Sequence, residues 1–146
     1  MIIVADFTQP EVLSTIIKEI SEAQIDVGVL VNNVGINLPY PKPFVESDQD
    51  FVKNIIYVNV LAATVLCHAL LPNMKKKGKG AIINISSAAG HMILPYLAEY
   101  CGTKHYLSAF TQAIAAEYSD SGVTVQLIEP GMVETAMTRN MSRGVG

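Results

Sequence analysis

The sequence predicts an α/β protein built on a parallel sheet, and three observations support that prediction. Apolar runs of strand length alternate with longer stretches of helical periodicity. Half of the residues are hydrophobic and only 16% are charged. No repeat, low-complexity tract or linker divides the chain. Its 146 residues therefore read as one domain, long enough to bury roughly two-thirds of the unfolded surface.

Taken in order, Met1 to Ala5 reads as a buried strand. A helix follows from about Gln9 to Ala23, with Val12, Ile16, Ile17 and Ile20 on one face and Thr8 as its cap. Val27 to Val31 reads as the next strand, and a long helix runs from about Gln49 to Pro72. Ala81 to Ile85 is a third strand. A helix from about Leu97 to Ser119 sets Leu107, Phe110, Ala113 and Ile114 at core spacing, and Val123 to Ile128 is the last strand. Such alternation is the signature of a parallel sheet covered on both faces. The run from Lys75 to Gly80 reads as a solvated turn and not an anion site, because Lys and Gly both suit a helix carboxyl end.

Several function classes are excluded. A formal net charge of −3 leaves no basic footprint for nucleic acid. Cys67 and Cys101 lie in apolar helical patterns without partner spacing, so they read as buried thiols of a reducing, intracellular compartment. Met1 to Ala5 is too short for a signal-peptide core, and no segment is expected to run about eighteen apolar residues without a polar break, so no membrane segment is expected. His68 and His105 lack a second ligand at metal spacing, and no metal is expected. His91 reads as a loop histidine facing water.

Chemistry concentrates elsewhere. Tyr100 and Lys104 stand at i and i+4, on one face of a helix. A phenol is a poor acid or base at neutral pH, and a neighbouring ammonium favours its phenolate. Thirteen residues before Tyr100, Ser87 closes the strand AIINIS. Ligands of open parallel sheets bind outside the carboxyl ends of strands, which is where this hydroxyl falls. Either element alone is weak, since Tyr–Lys pairs and turn serines are common. Together they point to a site.

These residues resemble a known family, the short-chain dehydrogenase/reductases. Asn32-Asn33-Val34-Gly35 looks like its NNAG element, Asn59 in IIYVNV like its catalytic asparagine, and Tyr100 to Lys104 like YxxxK. Pro130-Gly131, followed by Val133 and Thr135, resembles its PG segment. The resemblance implies a Rossmann-like doubly wound parallel sheet and hydride transfer between nicotinamide and a carbonyl or carbinol carbon. Tyr100 would move the proton, Ser87 would bind the substrate oxygen, Lys104 would hold the ribose and tune Tyr100, and Asn59 would support a water relay. Asp6 would meet the adenine, with Asn33, Gly35, Pro130, Gly131 and Val133 beside the cofactor and Thr135 on the carboxamide. Each has an ordinary alternative. Asn33 can satisfy a strand-end turn, Asn59 can face solvent, Thr135 can cap a short helix, and Asp6 can cap the helix near Thr8.

The family's first two strands and its glycine-rich turn have no counterpart in the sequence, so the sheet is expected to be incomplete and NAD versus NADP is not readable. NNVG, the proline-rich stretch from Leu38 to Phe44 and TKHYLSAFTQAIAAEY look most like the 17-beta-hydroxysteroid dehydrogenase and 3-oxoacyl-CoA reductase branch. That implies a lipid or steroid substrate, cytoplasm or endoplasmic reticulum as the setting, and a homodimer through the two long helices. A catalytically silent relative that binds partners is the competing reading.

Overall fold

The computed structural model describes residues 1–131. Three parallel strands, β1 (Val29–Asn32), β2 (Gly80–Ile85) and β3 (Val123–Ile128), lie side by side in the order β1-β2-β3. Leu30 aligns with Ile82 and Val125, and Asn32 with Asn84 and Leu127. The helices are α1 (Val12–Glu22), α2 (Gln49–Ile56), α3 (Ala62–Lys77) and α4 (Ala98–Glu117).

The connections explain where the helices lie. Parallel crossovers are right-handed, and both steps here, β1 to β2 through α2 and α3 and β2 to β3 through α4, advance in the same direction across the sheet. Both must then place their helices on one face. α3 packs on β1 and β2, α4 packs on β3, and α1 lies against α3. The expectation of a sheet covered on both faces is therefore not met among the described residues. A doubly wound sheet covers its second face only where the strand order reverses. Val29 and Val31, on that second face, are 58% and 54% exposed.

The covered face holds the core. Ile82 and Met74 are fully buried, with Cys67, Leu71 and Val123 packed beside them and Leu30, Phe110 and Ile114 at the margin. Burial pushes the Cys67 thiol up to about 11, which makes it an inert packing group. Both cysteines are free and buried, as their apolar surroundings in the sequence implied.

Met1 to Ala5 forms no strand. Ile2 and Val4 are 92% and 97% exposed, because no strand lies alongside to pair with their backbone, and an unpaired extended run gains nothing from its β-branched residues. α1 begins at Val12, not Gln9, and Thr8 does not cap it. Thr8 turns back to Asp6, while Gln9 N–H donates to Asp6 O at 3.1 Å, so Phe7 to Glu11 forms turns ahead of the helix.

The long helix starts where it should, with the Asp48 carboxylate accepting from Asp50 N and Phe51 N at 2.9 and 3.1 Å. It runs unbroken from Gln49 to Lys77, through Pro72 and past the predicted end. It stops at Gly78, whose φ of 63° closes it in the left-handed conformation behind Lys75, Lys76 and Lys77. By length and composition alone this helix is long and apolar enough to cross a membrane, although Asn59 and His68 break its apolar run as expected. It packs on the sheet through Leu66, Cys67, Leu71 and Met74.

A polar chain crosses this apolar layer. Asn32 Nδ2 donates to Asn84 Oδ1 at 2.8 Å, and Asn84 Nδ2 donates to Thr111 Oγ1 at 2.9 Å. These bonds tie β1, β2 and α4 together at the level of the strand ends. Asn84→Ala strands buried donors and acceptors on two neighbours and is expected to cost about 1–3 kcal/mol in urea unfolding; a loss below about half a kcal/mol would show the network to be idle.

Candidate active site

All three strands end on the same edge of the sheet, and the loops that leave them carry the chemistry. β1 leads into Asn33 to Ile36, β2 into Ser86 and Ser87, and β3 into Glu129 and Pro130. α4 runs past these ends and brings Tyr100 and Lys104.

Lys104 is 5% exposed. Its Nζ donates to Ile85 O at 2.9 Å, two residues before Ser87, and lies 5.8 Å from the centroid of the Tyr100 ring, within cation–π range. Burial disfavours the ammonium and draws its pKa down from 10.5 to about 8. The group still carries its proton at neutral pH. Tyr100 is half-buried on the same helix face, as the i, i+4 spacing predicts.

Asn59 sits in a π-helical turn, Tyr57–Leu61, between α2 and α3. Such turns re-aim side chains within otherwise regular helices. Its amide is fully engaged: Oδ1 accepts from Ile36 N at 2.8 Å, and Nδ2 donates to Ile36 O at 2.9 Å and Thr103 Oγ1 at 3.1 Å. Thr103 Oγ1 donates in turn to Tyr100 O at 2.8 Å. Asn59 thus fastens the loop after β1 to the turn of α4 that bears Tyr100, and it does not face solvent.

Ser87 follows β2 and opens a 3-10 turn, Ala88–His91, that packs on α4. Its hydroxyl accepts from Ala89 N at 3.2 Å and donates to no other group among the described residues. That proton is available to a ligand oxygen. The turn can lie this close to α4 because Gly90 has no side chain: a Cβ there would stand 2.9 Å from Lys104 O.

The remaining predicted residues divide. Gly35 comes to the site, where an added Cβ would lie 3.5 Å from Asn59 Oδ1 and 3.7 Å from Lys104 Nζ. Pro130 O accepts from Ala88 N at 3.0 Å, which links the Pro130–Gly131 segment to the Ser87 turn. Asn33 is exposed, and its neighbour Asn32 is the asparagine locked into the sheet. Asp6 is fully exposed and spends its carboxylate on Thr8 N and Oγ1, at 3.0 and 2.8 Å. The backbone N–H of Thr8, above all, holds it below the usual carboxylate range. Val133 and Thr135 lie outside the described residues.

Sequence reasoning passed over Thr103 and a group around Glu129. Glu129 Oε1 accepts from Ser108 Oγ at 2.6 Å and from His91 Nε2 at 2.7 Å, while Ser86 and Ser108 are 2.8 Å apart. Thr103 was reachable, since a threonine three residues after Tyr100 can bond back to its carbonyl. The Glu129 cluster joins residues scattered over three elements and has no local signature.

At the strand ends a buried lysine thus lies beside a tyrosine ring and donates to a carbonyl two residues along the chain from a serine that follows the same strand. Residues 1–146 match the short chain dehydrogenase family, and the chain belongs to it. It is 42% identical over 137 residues, 94% of its length, to human inactive hydroxysteroid dehydrogenase-like protein 1, and covers 41% of that protein. It is 39% identical over 139 residues to the very-long-chain 3-oxoacyl-CoA reductase of Bos taurus, covering 44% of it. The chain therefore spans less than half the length of these curated relatives. Among solved structures, a short-chain dehydrogenase from Sphingobium yanoikuyae in complex with NADPH aligns with a TM-score of 0.81 at 31% identity, over 91% of this chain and 51% of that one. A 4-hydroxyisoleucine dehydrogenase complexed with NADH aligns at 0.82 and 26% identity, over 90% and 58%. The fold is thus part of the Rossmann-like parallel sheet that the resemblance implied.

The buried ammonium has a measurable signature. Between about pH 8 and 10.5 the unfolded chain holds the Lys104 proton more often than the folded chain, so this group's contribution to stability rises with pH across that window. Urea unfolding of the protein and of Lys104→Met should show the difference in stability shifting toward wild type as pH rises from 7 to 10. A difference independent of pH would refute the assigned burial effect.

Proposed function

We propose that this chain supplies the catalytic part of an NAD(P)-dependent oxidoreductase that interconverts a carbonyl and a secondary alcohol on a steroid or fatty-acyl substrate. The observation that carries this reading is the seating of Lys104 on Ile85 O beside the Tyr100 ring, with the free Ser87 proton at the end of the same strand. The substrate class rests on the hydroxysteroid dehydrogenase-like and very-long-chain 3-oxoacyl-CoA reductase relatives. The free, buried thiols support an intracellular setting, in the cytoplasm or at the endoplasmic reticulum.

The residues present fit the nicotinamide–ribose end of such a cofactor. Gly35 leaves open the space beside Lys104 Nζ and Asn59 that a side chain would fill, so a sugar hydroxyl can reach the ammonium there. Lys104 would hold the ribose, and the backbone at Gly35, Pro130 and Gly131 would border the ring, with Asn33 and Asp6 toward the adenine and Val133 and Thr135 at the carboxamide. When bound, the nicotinamide supplies or accepts hydride at C4. Ser87 Oγ donates its proton to the substrate oxygen as negative charge develops. Tyr100 gives or takes the proton on that oxygen, and the Lys104 ammonium stabilises the phenolate left behind. Asn59, its amide committed to Ile36 and Thr103, acts by fixing Gly35 against Tyr100 and Lys104 more than by moving a proton itself.

The long helices would pair two copies of the chain. Tyr106, stacked on Phe110 with centroids 5.8 Å apart, and the exposed Ile56 support such an interface. A second reading, a catalytically silent relative, is favoured by one observation: the 42% identical human relative is named inactive.

Tyr100→Phe separates the two readings. It is expected to lower NADPH- or NADH-dependent reduction of a 3-oxoacyl or steroid ketone by about 10²–10⁴-fold while cofactor affinity, followed by nicotinamide fluorescence, stays unchanged. Turnover unaffected by the substitution would exclude Tyr100 as proton donor, and saturable cofactor binding without turnover in the parent chain would favour the silent relative.

A further inference from the structure

We propose that Glu129 is a positioning residue that latches the Ser87 turn onto α4. This rests on the reading of Ser87 as the group that binds the substrate oxygen. Glu129 directly follows β3 and lies outside the motifs that carry the family resemblance.

The Glu129 side chain is 25% exposed. One of its oxygens, Oε1, takes two hydrogen bonds from two different elements, Ser108 Oγ of α4 at 2.6 Å and His91 Nε2 of the 3-10 turn at 2.7 Å. The two contacts converge on this single oxygen, so one side chain links the turn and the helix. Ser108 Oγ donates to Glu129 and stands 2.8 Å from Ser86 Oγ. Ser86 Oγ also lies 2.9 Å from Lys104 O.

The turn held in this way has few other anchors. Gly90 N donates to Ser87 O at 2.8 Å and Ala88 N to Pro130 O at 3.0 Å. His105 Nδ1 sits 2.7 Å from Gly90 O. Gly90 offers no side chain, and Met92 and Ile93 beyond it are 53% and 97% exposed. The His91–Glu129–Ser108 bridge thus joins the turn, by way of the residue after β3, to the helix that bears Tyr100 and Lys104, beside the direct His105–Gly90 O contact. Losing it frees the turn to lift and carry the Ser87 hydroxyl away from Tyr100.

Hydrogen–deuterium exchange of the 146-residue chain tests this without requiring turnover. Glu129→Ala is expected to speed exchange at Ala88 and Gly90 by about tenfold while β2 amides from Ala81 to Ile85 keep their protection. Glu129→Gln retains an oxygen that accepts from both donors and should stay within about twofold of the parent. Should Glu129→Ala fold poorly, His91→Ala opens the same bridge from an exposed position and should accelerate the same two amides. Unchanged exchange at Ala88 and Gly90 would overturn the latch, as would acceleration spread evenly over the sheet, or failure of Gln to rescue. In turnover assays the latch predicts that Glu129→Ala lowers kcat with cofactor Kd unchanged. A parent chain with protected turn amides and no turnover would refute the catalytic reading while leaving the latch in place.

Discussion

The site depends on one contact, the hydrogen bond from the Lys104 ammonium to the carbonyl of Ile85. It joins the helix that carries Tyr100 to the strand that leads into Ser87, and it is made inside the protein, where a lone ammonium is costly. One carbonyl lowers that cost without removing it, which is why burial still draws the lysine toward its neutral form. A cation held this way attracts whatever negative charge comes within reach, whether a developing phenolate or an electron-rich sugar oxygen. The geometry around it follows from that need. Gly35 leaves room beside Nζ, and the aromatic face of Tyr100 lies on another side.

Rigidity comes from the amides. Asn59 in its π-turn and Asn84 in mid-strand each spend both ends of the side chain on distant segments, one on the loop after β1 and on α4, the other on β1 and α4. Two elements that diverge from the sheet are thereby held by directional bonds as well as by apolar packing. Directional bonds fix angles, and proton transfer is sensitive to angle. The apolar core below, around Met74 and Ile82, contributes stability without this discrimination.

The sequence made most of the covered layer legible. β2 and β3 fall within one residue of the predicted runs and α4 within two at either end, and the i, i+4 spacing of Tyr100 and Lys104 sets both on one helix face. Local patterns succeeded there because each element is amphipathic on its own account. They failed where the outcome depends on neighbours. Met1 to Ala5 has strand composition, yet a strand exists only through its partner. The helix continues past Pro72, which lies inside it, because the burial of Leu71 and Met74 on either side offsets the one backbone bond that the proline removes. Of the site itself, Asn59 and Gly35 were legible through motif order, whereas Glu129 could not be found along the chain, since its partners are 21 and 38 residues away.

The bare face of the sheet has a colloidal consequence. Val29 and Val31 on β1, with Ile128 across the sheet, form an apolar surface in a protein whose net charge is only −3. Such a surface attracts lipid, detergent, chaperone or another sheet more strongly than water does. The helical side of the sheet is packed, while the opposite side offers a contact surface, and charged substitutions at Val29 or Val31 would weaken its attraction for apolar partners without touching the buried layer.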